Sequence, residues 1–361
     1  MKATTKQKQF PSAIVELPSH LLIIRLSSLG DVAMTIPVIQ VVQGTYPDLK
    51  ITVLTKKQFK PIFSVMDTIQ VKTIEVEKDH KGLLGLYTLA NELLALGVDR
   101  VADLHNVLRT KVLKQLFQLR GIRVKQIDKG RKEKKALTRS KNKNFIQLKS
   151  THQRYADVFK ELGLPIHLDD HKYPKKPSLP SEIHQVIQNS SRKWIGIAPF
   201  AQYESKTYPL ELMIRVIEEL NSYEKFDIFL FGGGKKEEDI LNNIESKYKY
   251  ATNIAGKLTL DQELKLIGNL DIMVSMDSGN AHLAAIYNLP VITLWGVTHP
   301  YTGFMPFHQP MENAILSNLT KYPQIPTSVY GNKFPEGYEN VMKSISPKTV
   351  IDKIYEILKA E

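Results

Sequence analysis

The stretch LLIIRLSSLGDVAMTIP, residues 21–37, decides the fold. LLIIRL (21–26) is apolar and branched apart from Arg25 and reads as a buried strand; VAMTIPVIQVVQGTYP continues as a helix that Gly44 and Pro47 end. Between them, SSLGD (27–31) is a strand-to-helix turn kept tight by Ser27, Ser28 and Gly30, and it leaves Asp31 where the helix begins. Strand, tight turn and helix in that order make one βα unit of a parallel sheet. Capping the helix alone would account for Asp31. Capping does not require the glycine before it or the flanking Arg25.

The same unit recurs downstream. KITVLT (50–55), VKTIEV (71–76) and RVADLH (100–105) read as strands, with LLGLYTLANELLALG an amphipathic helix between the last two. THQRYADVFKELGLP (151–165) closes this half, and the proline-bearing, charged segment 171–193 reads as a linker. A second α/β series follows in WIGIAPF (194–200), FDIFLFGG (226–233), ATNIAG (251–256), DIMVSMD (271–277) and PVITLWG (290–296). With 361 residues the chain exceeds what one core organises. Two α/β domains are expected, 1–175 and 176–345. The last segment, SPKTVIDKIYEILKAE (346–361), has Ser346 as N-cap, Pro347 in the first turn and one apolar face, and it is expected to pack back on the first domain.

Composition narrows the chemistry. The absence of cysteine excludes disulfides, thiolate zinc sites and a cysteine nucleophile, and fits a reducing compartment. No run approaches the roughly 20 apolar residues of a membrane span, and the first twenty residues lack the apolar core of a secretory signal. The expectation is a cytoplasmic protein that touches a membrane only through its surface. The net charge of +12 is concentrated between Arg120 and Lys149, where twelve lysines and arginines face two acids. A solvated loop or a contact with an anionic membrane or phosphorylated acceptor would both explain this block. Its single aromatic, Phe145, argues against nucleic acid.

Ligands of open α/β sheets bind outside the carboxyl ends of the strands, so the loops after each strand hold the candidate residues. SMDSGNAHLAA (275–285) keeps Ser278, Gly279 and Ala281 small at a helix start, which suits a phosphate, and His282 follows as a phosphate contact or an ordinary buried histidine. Lys206, in APFAQYESKTYP (198–209), reads by itself as a surface lysine. FGGGKKEEDI (231–240) is glycine-rich but lacks both the dinucleotide and the P-loop spacing. DLHNVLRTKVL (103–113) offers His105, Asn106 and Arg109 as donors. Asp103 and His105 alternate as metal ligands might, with no third ligand near in sequence.

RLSSLGDVAMTIP, DLHNVLRT, QRYADVFKELG, SKTYPLE, FGGG, IAGKLTLDQELKLIGNLDIMVSMDSGNAHLAA and PVITLWGVTHP follow in that order. The set resembles the bacterial heptosyltransferases of glycosyltransferase family nine, from about residue 21 to the C-terminus. The resemblance implies a GT-B fold, two Rossmann-like domains whose parallel sheets face each other across a cleft. It also implies metal-independent, inverting transfer from a nucleotide-activated heptose, such as ADP-heptose, to the lipopolysaccharide inner core, with the donor a co-substrate and no cofactor. Asp31 matches the family's general base, and Lys206 the lysine on the donor phosphate. Asp277 matches the aspartate near the donor sugar, and Ser278 and Gly279 the residues offering backbone N–H groups. Gly232 and Glu237 or Glu238 fall in the donor region, the acid serving the ribose. Ser28, Gly30, His105, Asn106, Arg109, Arg131 and Lys132 are the expected acceptor contacts, and the basic block acquires an anionic acceptor or inner-membrane surface as its use. Tyr208 departs from the pattern, standing where a tryptophan is common. A transferase for another nucleotide sugar, or a non-catalytic protein of the same fold, would carry the same motifs.

Overall fold

The computed structural model describes residues 17–187 and 191–359. Residues 1–16 of the leading stretch, to which the sequence assigns no role, lie outside the described residues, as do 188–190 in the linker and 360–361 at the end of the last helix.

The first half runs β1 (His20–Ile24), α1 (Leu29–Ala33), α2 (Thr35–Thr45), β2 (Lys50–Lys56), β3 (Gln70–Ile74), α3 (Gly82–Leu94), β4 (Arg100–Asp103), α4 (Leu108–Gln118), β5 (Arg123–Gln126), α5 (Arg131–Thr138) and α6 (Thr151–Glu161). Its strands form one parallel sheet in the order β3-β2-β1-β4-β5. β1 is central, and all five of its residues are buried. The helix read at 32–47 is broken at Met34 into α1 and α2. Pro37 supplies the reason, because it has no N–H for the Ala33 carbonyl and its ring crowds that group.

The second half comprises α7 (Ser181–Val186), β6 (Lys193–Ala198), α8 (Leu210–Ser222), β7 (Phe226–Leu230), α9 (Lys235–Glu245), β8 (Ala251–Asn253), α10 (Leu260–Ile267), β9 (Ile272–Met276), α11 (Gly279–Ala285), β10 (Val291–Trp295), β11 (Ala314–Leu316) and α12 (Pro347–Lys359). Its sheet, also parallel, has the order β11-β10-β9-β6-β7-β8. One apolar cluster crosses from the first half, through Ile23 and Val53, to Leu266, Ala281 and Leu283 in the second. The outer faces of the two sheets each hold a separate cluster. The halves are therefore packed on each other rather than strung on a linker.

Two expectations are corrected. α12 packs on α8, burying Val350, Ile351 and Ile354 in the second half's core, with Tyr355 against Tyr223 and Phe226; it does not return to the first half. Each of those three side chains contributes roughly 1.5–3 kcal/mol by burial. The chain is fastened to the second half just before the helix, where Ser344 Oγ accepts from Asn318 N–H and the Tyr208 hydroxyl donates to the Ile345 carbonyl, both at 2.9 Å. α8 is then the nearest apolar surface. The basic block is not a loose loop either. It forms β5 and α5, and the segment after them is strapped to the second half: Leu148 N–H donates to Tyr301 O at 2.9 Å, Thr151 N–H to Gly303 O at 2.8 Å and Lys143 Nζ to Pro326 O at 2.8 Å.

Candidate active site

In an open parallel sheet the ligand crevice lies where the strand order reverses. That point falls between β1 and β4 in the first sheet and between β6 and β9 in the second. The loops leaving these four strands carry Ser28 to Asp31, His105, Lys206, and Asp277 to Gly279. α1 and α11 bring the two sets together at a pair of glycines. A Cβ on Gly30 would lie 3.0 Å from His282 Cδ2 and 3.3 Å from Gly279 Cα, and one on Gly279 would lie 2.8 Å from Leu29 Cδ2. Both positions are small because the halves meet there.

Asp31 is not the helix cap. Ser28 is the N-cap, and Asp31 stands three residues on, completing a capping box. Its Oδ2 accepts from Ser28 N–H at 3.3 Å and Ser28 Oγ at 3.0 Å, and pairs with Arg25 Nη2 at 2.6 Å. Arg25 is buried and fixed in turn by donating to the Leu104 carbonyl at 2.6 Å. Burial pushes the Asp31 carboxyl up, but the Arg25 guanidinium and the two Ser28 hydrogen bonds outweigh it and hold the group below the usual carboxylate range. Among the described residues Oδ1 has no hydrogen-bond partner. Asp31 lines two adjoining cavities at once.

The first cavity, of about 800 Å³ and open to solvent, joins Asp31 to Lys206, Asp277, Ser278 and Gly279. Lys206 Nζ donates to the Asp277 carbonyl at 2.7 Å and lies 3.3 Å from Asp277 Oδ2, which also accepts from Thr298 Oγ1 at 2.9 Å. Asp277 is thus occupied in aiming Lys206. Gly331, at φ +86°, lies against the lysine stem, where a Cβ would meet Cγ at 2.6 Å. His282 lines the same cavity; burial pushes its imidazole down to about 4, so it is neutral at pH 7, and its Nδ1 has no partner. Past Gln202, Ser278 and Gly279 the space continues into a cavity of about 1140 Å³ that contains Gly232 and Glu237. Glu237 Oε2 accepts from Gly233 N–H at 2.7 Å. Of the two acids considered there, Glu238 points to Gly256 and Lys235 instead and does not line this space.

On the other side of Asp31 a cavity of about 700 Å³ is lined by Arg25, His105, Lys129, Lys134 and Arg154. It shares Lys129 with a groove containing Asn106, Arg131 and Lys132. Lys134 is only 7% exposed. Its ammonium has no acceptor among the described residues and sits 4.3 Å over the Phe304 ring, and burial pushes it down to about 8. Arg154, by contrast, pairs with Glu133 at 2.6 Å. His105 accepts from Leu26 N–H at 3.2 Å and is held near 4 by burial, so it supports the turn as a neutral ring. Asn106 donates to the Ile127 carbonyl at 2.9 Å. Arg109 lines none of these cavities. Asp103, weighed with His105 as a metal ligand, uses Oδ1 on the backbone N–H groups of His105 and Asn106, and Oδ2 on Gln126.

The sequence brought together Asp31, Lys206, Ser278 and Gly279 but missed Gln202, Phe304, Tyr330, Lys129 and Glu263, which share these cavities. Lys129 was hidden in the basic block, and so was the burial of Lys134, because charge alone does not separate a buried lysine from a solvated one. Tyr330 and Phe304 lie in irregular chain, where no periodicity assigns a face.

Residues 86–335 match the family described as "Glycosyltransferase family 9 (heptosyltransferase)". The chain is 26% identical over 317 residues to the lipopolysaccharide core heptosyltransferase OpsX of Haemophilus influenzae, covering 84% of each. Among solved structures, a family 9 glycosyl transferase from Veillonella parvula superposes with a TM-score of 0.75 at 18% identity, covering 96% of this chain and 99% of that one. The Escherichia coli ADP-heptose LPS heptosyltransferase II superposes with a TM-score of 0.68 at 20% identity, covering 94% and 99%. The two facing parallel sheets are those of the GT-B fold.

Proposed function

Because the chain belongs to glycosyltransferase family 9, the heptosyltransferase family, we propose that it transfers a heptose from ADP-heptose to the lipopolysaccharide inner core or a related lipid-linked glycan. The observation that carries this reading is the place of Asp31, which has a free Oδ1 and lines both the cavity of Lys206, Ser278 and Gly279 and the cavity of Lys129 and Lys134. The first accommodates a sugar diphosphate. The second accommodates an acceptor that carries an anion.

In this mechanism Asp31 Oδ1 takes the proton of the acceptor hydroxyl as the oxygen bonds to the anomeric carbon and the bond from that carbon to the diphosphate breaks. Attack from the face opposite the diphosphate inverts the configuration. Arg25 keeps the carboxylate ionised and lowers its base strength, so proton transfer runs late, as the hydroxyl becomes acidic on bonding. The charge gathering on the leaving ADP is met by Lys206 and by backbone N–H groups at Ser278 and Gly279, so no metal is required. The acceptor side accounts for the basic groove of Arg131 and Lys132, which would face an anionic membrane surface on the cytoplasmic side.

The test is transfer from ADP-heptose to heptose-deficient lipopolysaccharide, followed by product mass and anomeric configuration. Asp31→Asn should lower kcat by about 10²–10⁴-fold, the usual worth of a general base, with ADP affinity changed less than about threefold. EDTA should leave the rate intact. Transfer that survives Asp31→Asn, or retention of configuration, would sink the mechanism. Turnover only with UDP- or GDP-sugars would replace the donor.

A further inference from the structure

Glu263 stands in the first turn of α10 and lines the 1140 Å³ cavity beyond Ser278 and Gly279. Among the described residues its carboxyl has neither a hydrogen bond nor an ion pair. The cavity it lines has apolar walls in Phe59 from the first half and Phe200, Phe231, Leu260 and Leu283 from the second, with Gln58, Gln202 and Asn280 as polar groups beside them. Glu263 is half-buried there, and its partnerless carboxyl is left to meet whatever enters the cavity. In α10 Thr259 and Gln262 form the capping box, Asp261 pairs with Lys265 at 2.7 Å, and Glu263 is the second acid of the first turn.

The aromatic and aliphatic walls of this cavity suit a flat aromatic base, and through Gln202, Ser278 and Gly279 it adjoins the cavity of Lys206, where the diphosphate would lie. Glu237, held on Gly233 N–H, lies nearer the glycine turn, where a ribose would pass. We propose that Glu263 reads the donor's base, its carboxyl donating one hydrogen bond and accepting another along the N7 and N6 edge of an adenine. This rests on the donor reading above and adds the residue that selects the base. Adenine presents one acceptor and one amino donor on that edge, a pattern that glutamine also matches, whereas guanine presents two acceptors there. A carboxyl needs its proton to fill that role. Burial alone pushes Glu263 up to about 7, with no charged neighbour among the causes. The charged groups around it are Glu237 across the cavity, Asp261 and Lys265 on its own helix, and Lys57 and Lys60 on the exposed side of the turn that packs against α10.

The sign follows from the proton. Below pH 7 the carboxyl donates; above it the carboxylate has no donor and meets the lone pair of N7, so ADP affinity falls by up to about tenfold per pH unit. Calorimetric titration of the full chain with ADP and GDP from pH 6 to 8.5 tests this against Glu263→Gln. ADP's own phosphate titrates in both proteins, so the difference between the two profiles is read. The expected result is that the glutamine variant loses the extra slope and at pH 8.5 binds ADP up to about thirtyfold more tightly than the native chain, a gain that a damaged fold does not produce. Preference for ADP over GDP should also fade with rising pH in the native chain alone. Coincident profiles with heptose transfer intact would overturn the role of Glu263 and leave the proposed function standing. No ADP binding to either protein at any pH would overturn both.

Discussion

A single methyl group at Gly30 tests whether the site depends on how closely the halves approach. In Gly30→Ala the new carbon stands 3.0 Å from His282 Cδ2 and 3.3 Å from Gly279 Cα, where relaxed carbon contacts begin at about 3.5 Å. The His282 ring is buried and the other contact is backbone, so neither moves aside easily. The halves must part by about 0.5 Å at this point. Overpacking of this kind costs about 1–3 kcal/mol, but alanine in place of glycine within α1 restores about 0.5–1 kcal/mol of helix propensity. The net loss is about 1 kcal/mol, a fall in Tm of about 1–2 °C for a chain of this length. Catalysis is hit harder. A misplacement of about 1 Å costs about 10²-fold, so about 0.5 Å between Asp31 and the donor groups costs about tenfold in kcat. The assay is the steady-state rate at saturating donor and acceptor, alongside a melting curve. Gly279→Ala provides the contrast, since its methyl would meet the Leu29 side chain, Cδ2 at 2.8 Å and Cγ at 3.1 Å, rather than a buried ring and backbone, and the loss should be smaller. A Gly30→Ala enzyme with native kcat would refute the reasoning.

Asp31 must be ionised to act, so the acid limb of the rate profile should lie below the usual carboxylate range, and Arg25→Met should move it upward; an unmoved limb would show that the pair does not set the base. Lys134→Met should raise the KM for an anionic acceptor at least severalfold and leave the donor KM unchanged. In the native enzyme the same acceptor KM should rise above about pH 8 as Lys134 loses its proton. The buried rings of His105, His282 and His299 are held near 4, so the unfolded chain binds protons that the folded one refuses between about pH 6.5 and 4. Their contribution is present above pH 6.5 and is lost on acidification, at up to about 1.4 kcal/mol per ring per pH unit. Urea midpoints from pH 7 to 5 should fall, and a flat profile would show that the rings are solvated.

The sheets were legible because both are built of short apolar strands that bury both faces, and β1, β7, β9 and β10 are buried at every position. What escaped was one edge of each sheet. β5 buries only Val124 fully and carries Arg123 and Lys125, so RVKQ is indistinguishable from the basic run around it. β11 has three residues, too few for any period. α12 showed its apolar face plainly, but a face does not name its partner, and the two bonds fixing Ser344 and Ile345 decided for α8.

The site divides along the same line. Its donor side is written in local turns after β6 and β9, where spacing and residue size are constrained by the backbone. Its acceptor side is written in tertiary contacts: Lys134 matters because α5 is folded under Phe304, and Tyr330 because it closes both cavities over Asp31. Asp31 lies between these extremes. Capping explained its position on the helix, and the structure retains that role through Ser28, but a capping box engages one carboxylate oxygen only. Arg25, the residue that capping left unexplained, binds the same Oδ2 and holds the charge. The second oxygen is left free on a residue that lines two cavities at once, which a purely structural aspartate has no reason to do.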